Sequence, residues 1–345
     1  MIRLAVIPGD GIGPEVVGEG LKVLEATGVA HERVTYPFGA EHYLATGELV
    51  PRSALDELRG MDAIYLGAVG DPRVPASVLE LGILVAIGHA LDLFVNVRPT
   101  RVRAGRLCPL KDVRPEDVDL VLVREATEDC YGPGRFVRRA TPYEVALGTM
   151  VYTRSGTERA CRHAFELARR RTRKRVTLVH QANAIGAHEL LVRAFESVAT
   201  DYPDVEADEA FPDGAAMWLV REPARFDVIV TTSFIGGILS DLAAALAGGL
   251  GQSASARLHP GRVSLFEPTH GSAPKYAGQG VASPIGAILA MAMLLEAVGE
   301  TAAAARIDGA VTRLLDTGRI PSVDARSGLT TAQVGDLVAD EVGLR

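Results

Sequence analysis

Lysine is scarce in this chain. Of its 36 lysines and arginines, only Lys22, Lys111, Lys174 and Lys275 are lysines. A role that needs an amine able to release its proton near neutrality therefore has few holders. Cysteine is almost missing as well. Cys108, Cys130 and Cys161 are far apart and odd in number, which fits reduced thiols rather than a disulfide framework. No apolar run reaches the roughly 20 residues that cross a bilayer. The longest, IGAILAMAMLLEAVG at 285–299, is shorter and holds Glu296. The opening MIRLAVIPGDG lacks a long apolar core and a small-residue cleavage site, so it predicts a first strand and not a signal peptide. There is no internal repeat and no low-complexity linker. A net charge of −7 gives no sign of a nucleic-acid partner. A cytoplasmic protein is the expectation.

What is present is an ordinary globular composition, 48% apolar and 23% charged, in a chain long enough for one large or two medium α/β domains. Strand-like runs at 4–7, 33–36, 63–69, 91–99 and 119–126 alternate with helical patterns, and the habit resumes at 175–180, 226–232 and 262–268. Strands separated by helices of 10–15 residues imply right-handed crossovers and a largely parallel sheet. The basic run ARRRTRKR at 168–175 reads as a helix end, where cations suit the dipole. The stretch 130–160, rich in Gly, Pro and alternating β-branched residues, breaks the rhythm. It predicts an excursion, a hairpin arm suited to pairing with another subunit.

Two glycine clusters follow strands and precede helices. GDGIGP at 9–14 has the spacing G-x-G-x-G, not the dinucleotide fingerprint, so a plain tight turn competes with a nucleotide loop. The loop in FEPTHGSAPKYAGQGVASP, 266–284, leads into a helix that begins near Pro284, and can offer backbone N–H groups to phosphates. A plain surface loop competes there too.

PGDGIGPEV, NVRP at 96–99, VREATEDCY at 123–131, FDVIVTTSFIGGILSD at 226–241 and EPTHGSAPKYAG at 267–278 together resemble the metal-dependent β-decarboxylating dehydrogenases, the isocitrate/3-isopropylmalate dehydrogenase family. The resemblance runs along nearly the whole chain. It implies an isopropylmalate-dehydrogenase-like two-domain α/β fold, with a largely parallel twisted sheet and helices on both faces. The first, cofactor-side domain would be 1–100 plus 252–345. The second, for dimerisation and substrate, would be 101–251.

By the same resemblance, Arg98 and Arg124 grip substrate carboxylates and Tyr131 is the acid that protonates the enol after decarboxylation. Asp241 is a metal ligand of its own subunit's site, and Asp213 is the ligand lent to the other subunit. His270, Gly271, Ser272, Ala273, Pro274, Lys275, Tyr276 and Ser283 meet the cofactor. Three positions depart from the family. Gly88 stands where an arginine is usual, with His89 the only basic group near it. Gly237 replaces a metal-binding aspartate, so Mg²⁺ or Mn²⁺ would be held more weakly. Gln181, with Asn183 close behind, replaces the catalytic lysine, and an amide cannot take a proton. Neither Lys22, Lys111 nor Lys174 offers a replacement; His180 is the one other candidate base. Loss of a general base costs about 10²–10⁴ in rate, so ordinary lysine- and metal-dependent oxidative decarboxylation is not expected. Lys275 and Tyr276, where NAD enzymes carry an acidic residue, favour NADP over NAD.

Three readings follow. One is a diverged NAD(P)-dependent oxidoreductase acting on a small hydroxy or keto di- or tricarboxylic acid. A second is a catalytically inactive sensor or regulatory subunit, in a homodimer or hetero-oligomer whose sites are shared between chains. The third, ordinary isopropylmalate dehydrogenase, requires a local slip in the alignment at Gln181.

Overall fold

The computed structural model describes residues 1–111, 114–132, 134–325 and 327–344. One ten-stranded sheet runs through the molecule, in the order β2-β1-β3-β12-β11-β4-β5-β10-β8-β9. Its strands are β1 (Ile2–Ile7), β2 (His31–Thr35), β3 (Ala63–Leu66), β4 (Val95–Arg101), β5 (Asp119–Glu125), β8 (Arg175–Val179), β9 (Glu206–Ala210), β10 (Val228–Thr231), β11 (Ala254–Leu258) and β12 (Ser264–Pro268). A separate hairpin pairs β6 (Arg135–Val137) with β7 (Val145–Leu147).

The outer strands pair in parallel on both sides, as the alternation predicts. The centre does not. β12 with β11, β11 with β4, and β4 with β5 are antiparallel, so two parallel wings meet along an antiparallel seam. Strands β9 and β11 have no counterpart in the predicted pattern. EADEA is an acidic, half-exposed edge, and ASARL is short and mostly small-sided.

Helices cover both faces. In one wing α1 (Gly13–Thr27), α9 (Ile285–Ala297), α10 (Thr301–Asp316) and α11 (Thr331–Gly343) bury Leu4, Val6 and Tyr65. The alternate residues Ala5, Ile7, Ile64 and Leu66 meet α2 (Ala40–Thr46), α3 (Arg52–Leu58) and α4 (Ala86–Ala90) on the other face. The period of two places successive side chains on opposite faces, so each strand feeds two cores. In the other wing α5 (Arg154–Arg169) and α6 (Glu189–Ala199) cover Val121, Val123 and Leu178, while α7 (Pro212–Arg221) and α8 (Ser233–Leu246) cover Leu120, Leu122 and Ile229.

The excursion expected at 130–160 closes sooner. α5 begins at Arg154, where the Thr153 hydroxyl accepts from the Gly156 amide as an N-cap. The arm itself is the predicted hairpin; its Pro133 lies outside the described residues. The basic run is indeed a helix end, tied down by Arg169–Asp204, Arg171–Asp227 and Arg175–Glu206 pairs. All three cysteines are free thiols. Among the described residues no helix is long and apolar enough to cross a membrane.

Candidate active site

The antiparallel seam carries a row of polar side chains. Register places Asn96 of β4 opposite Arg124 of β5 on one side and Arg257 of β11 on the other. Arg98, two residues on, shares their face. The Asn96 carbonyl accepts from Arg98 Nε at 3.1 Å and Arg124 Nε at 2.8 Å, while its amide donates to Ser255 Oγ at 2.7 Å. One buried amide thus orients two guanidiniums. Arg124 lies under α8 and donates to the Ser233 carbonyl at 3.1 Å. Gly236 permits that approach, since a Cβ there would meet Arg124 Cδ at 3.0 Å. Burial pushes Arg124 down to about 9, and the neighbouring cations Arg98 and Arg257 act in the same direction. Burial likewise lowers Arg98, against the opposing pull of Glu267 and Asp241.

These arginines line a cleft of 740 Å³ with Tyr131, His89, Gly237, Asp241 and Thr269. Four sequence-predicted residues, Arg98, Arg124, Tyr131 and Asp241, therefore come together, with Gly237 beside them. A Cβ on Gly237 would lie 3.1 Å from Arg124 Nη1 and 3.5 Å from the Tyr131 hydroxyl. An aspartate there would face Arg124 directly; glycine leaves that guanidinium without a carboxylate partner. Asp241 Oδ1 instead pairs with Arg98 Nη1 at 3.2 Å.

Gln181, Asn183 and Asp213 do not line this cleft. The Gln181 amide donates to Asn183 Oδ1 at 2.8 Å. Asp213 is exposed in the first turn of α7, its carboxylate accepting from the Gly214 amide. His180 is no stand-in for the base. Its Nδ1 accepts from the Ala182 amide, so its Nε2 proton goes to Glu209 at 3.0 Å, and the ring is buried between them.

A chain of polar contacts that no motif announced joins this loop to α8. The Gln181 backbone N–H donates to His188 Nδ1 at 3.0 Å, His188 Nε2 to the Tyr152 hydroxyl at 3.1 Å, and Tyr152 to Asp129 Oδ1 at 2.8 Å. Asp129 Oδ2 accepts from the Phe234 amide in the first turn of α8 at 2.6 Å. Burial keeps His188 depressed and, with Asp129, raises Tyr152.

The loop after Thr269 borders the cleft, and part of its expected chemistry is already committed. The Gly278 and Gly280 amides donate to Glu15 at 2.6 and 3.1 Å, so these two are not free for phosphate. The Ser283 hydroxyl donates to the Gly251 carbonyl and accepts from the Ile285 amide, which makes it a structural hydroxyl. The GDGIGP turn packs against the loop: Ile12 N–H donates to the Ser272 carbonyl, and Gly11, at φ +59°, would clash with it if it carried a Cβ. Asp10 holds the Ala40 and Gly70 amides. The tight-turn reading of GDGIGP is the one the contacts support. Other features remain open to a ligand. His270 Nε2 is buried with no partner among the described residues, and Lys275 is exposed with its ammonium 4.7 Å from the Tyr276 ring centre.

A family model described as isocitrate/isopropylmalate dehydrogenase matches residues 3–338. The chain belongs to that family. A 3-isopropylmalate dehydrogenase of Thermobifida fusca is 47% identical over 349 residues, spanning 99% of this chain and 98% of its own length. One from Streptomyces coelicolor is 47% identical over 348 residues, with the same coverage. The solved isocitrate dehydrogenase of Methylococcus capsulatus superposes with a TM-score of 0.91 at 39% identity, covering 99% of this chain and all of that one. Family membership confirms the expected α/β fold. Nothing in these likenesses points to altered or lost chemistry; the case for it rests on this chain's own Gln181, Gly237 and Gly88.

Enzymes of this family are typically NAD(P)- and metal-dependent. The side chains of this chain do not by themselves fit a divalent metal. Gly237 brings no side-chain oxygen, Asp241 is paired with Arg98, and among the described residues no three His, Cys, Asp or Glu side chains converge. A nicotinamide nucleotide fits better, because the orphaned His270 nitrogen lacks the partner a buried polar atom normally has. Sequence reasoning missed Arg257, Asn96, Asp129, Tyr152 and His188. Of these, Asn96 lay within the quoted NVRP and Asp129 within VREATEDCY.

Proposed function

We propose that this chain is a cytoplasmic NADP-preferring oxidoreductase for a small hydroxy or keto acid with two or more carboxylates. The lysine- and metal-dependent decarboxylating route would be lost or much weakened in it. The observation that carries the reading is the oriented pair Arg98 and Arg124 around Asn96, next to a cleft from which a carboxylate has been removed at Gly237. Two guanidiniums held by one amide are built to take carboxylates bidentately. Tyr131, in the same cleft, can hold or deliver a proton to the bound acid. Gln181 cannot remove one.

A bound nicotinamide would supply the hydride transfer, and His270, Lys275 and Tyr276 would hold the nucleotide. Lys275 suits a 2′-phosphate and gives a bare ribose no acceptor. The cofactor side would lie in 1–100 plus 252–345, and 101–251 would carry the dimer contact. The homodimer is supported by apolar side chains exposed on the arm, on α7 (Met217, Val220) and on α8 (Phe234, Ile238). Asp213 and Gln181 stand outside their own chain's cleft, as shared sites require.

Calorimetric titration with NADPH, NADP⁺ and NAD⁺, with and without Mn²⁺, tests this reading. Tight NADPH binding, indifferent to Mn²⁺ and weakened about 10- to 100-fold by Lys275→Asp, is expected. Absence of binding by any nicotinamide would remove the redox reading. The second reading, a non-catalytic sensor or regulatory subunit, would then stand, favoured by the Gln181 amide locked onto Asn183.

A further inference from the structure

Arg257 belongs to none of the motifs that carry the family resemblance, yet it lies in the same cationic row as Arg124 and lines the same cleft. It stands mid-sheet on β11 with its side chain 11% exposed. Its Nε faces Glu267 at 3.4 Å. Among the described residues nothing accepts a hydrogen bond from its two terminal nitrogens. Glu267, itself buried, thus pairs with the guanidinium through Nε alone, and the donors of the two terminal nitrogens remain for a ligand anion at the cleft.

The buried Gly88 packs directly against its Nη1 end. A Cβ there would stand 3.7 Å from Arg257 Nη1, so any long side chain at 88 would enter the volume this guanidinium fills. Gly88 in α4 and Arg257 in β11 are thus complementary: the one is empty where the other is extended. Glu267 offsets Arg257 and Asp241 offsets Arg98, but among the described residues no carboxylate pairs with Arg124, so the row of three guanidiniums keeps a net positive charge. Glu128 accepts from the Thr153 amide, Asp129 from Tyr152 and Phe234, and Asp241 pairs with Arg98. Glu80 remains on the facing wall.

We infer that Arg257 is a substrate-binding, specificity-setting residue. Its guanidinium, seated over Gly88, takes a second carboxylate of a substrate whose first carboxylate is held by Arg98 and Arg124. The anion is read from the sheet and not from the helix at 86–90, so this cleft selects dicarboxylic hydroxy acids over monocarboxylic ones by a geometry of its own. The inference rests on the cleft being the substrate site proposed above.

The test uses the purified full-length protein and compares malate and tartrate, with two carboxylates, against lactate, with one. Affinity is measured by calorimetry, and folding of each variant by thermal unfolding. The native protein should prefer the diacids by at least about tenfold. Arg257→Gly should remove most of that preference, weakening the diacids about 10- to 100-fold and lactate little. Arg257→Lys, which retains the charge beside Glu267, should fold normally and fall between them. Arg257→Gly combined with Gly88→Arg should restore diacid binding from the other wall. If Arg257→Gly and Arg257→Lys keep the native ratio while Arg98→Ala weakens all three acids, the role of Arg257 is refuted and the cleft remains the substrate site. If no acid binds and Arg98→Ala changes nothing, both readings fall.

Discussion

Asp129 holds a backbone conformation, φ +93°, that side chains rarely adopt. It persists there because both carboxylate oxygens are engaged, one by Tyr152 and the other by the Phe234 amide at the head of α8. The strain costs on the order of 1 kcal/mol, and the cap returns about as much or more. Asp129→Ala should therefore lose the cap while the strain stays as in the native chain, dropping stability by about 1–2 kcal/mol. Asp129→Gly should lose the cap but shed the strain, and be roughly 1 kcal/mol less harmful than alanine. Denaturant unfolding of the two variants decides; glycine no better than alanine would refute the strain account. At this scale Arg98, Arg124, Tyr131 and Asp241 were legible because short motifs surround them. Arg257 was not, since ASARL is too short and too mixed to mark a strand, and its meaning depends on register with β4. Nor was His188, whose partner Tyr152 comes 36 residues earlier.

Helix α5 shows how an element acquires a pH response. His163 lies on it beside a cavity also lined by Arg159, Arg162, Arg170, Glu166 and His259. Burial, then Arg170, depresses this imidazole to about 4. A histidine whose folded value lies below its free value of 6.5 favours folding while neutral, so its contribution is full above pH 6.5 and fades as pH falls toward 4. His188 and His270 are lowered as well, burial being the leading cause, and so act with the same sign. Between pH 7 and 5 the His163 site should cost the fold about 1–2 kcal/mol. Urea unfolding at both pH values should show that loss in the native protein and a smaller one in His163→Gln. Equal losses would place the acid sensitivity elsewhere. Among the elements, the parallel strands other than β9 followed the sequence pattern closely. β9 escaped because an acidic edge strand has no apolar face to reveal it.

Across the whole molecule, the alternation of strands and helices announced a largely parallel sheet but not the antiparallel seam at its centre. The pair at its middle is distant in sequence: 152 residues separate Arg101 of β4 from Ala254 of β11, and only long-range pairing defines it, while β4–β5 and β11–β12 each join consecutive strands. The arm is the other whole-molecule feature. Phe136, Val137, Tyr143, Val145 and Leu147 are all exposed on it, more apolar surface than an isolated hairpin sustains. Light scattering should give twice the mass of one chain, and replacing 134–148 by a short Gly-Ser turn should shift the equilibrium toward the single chain by at least about tenfold in dissociation constant. A truncated protein that dimerises as tightly as the native one would assign the contact to α7 and α8 alone.

The seam would also tie ligand binding to cohesion. Arg257 enters from the strand adjoining one wing and Arg124 from the strand adjoining the other, with only β4 between them. A diacid spanning the two would act as a clasp across the join, and its hold on the fold would grow with the logarithm of its concentration. The protein would then be firmest when its metabolite is plentiful, and most open to proteolysis when the metabolite runs out.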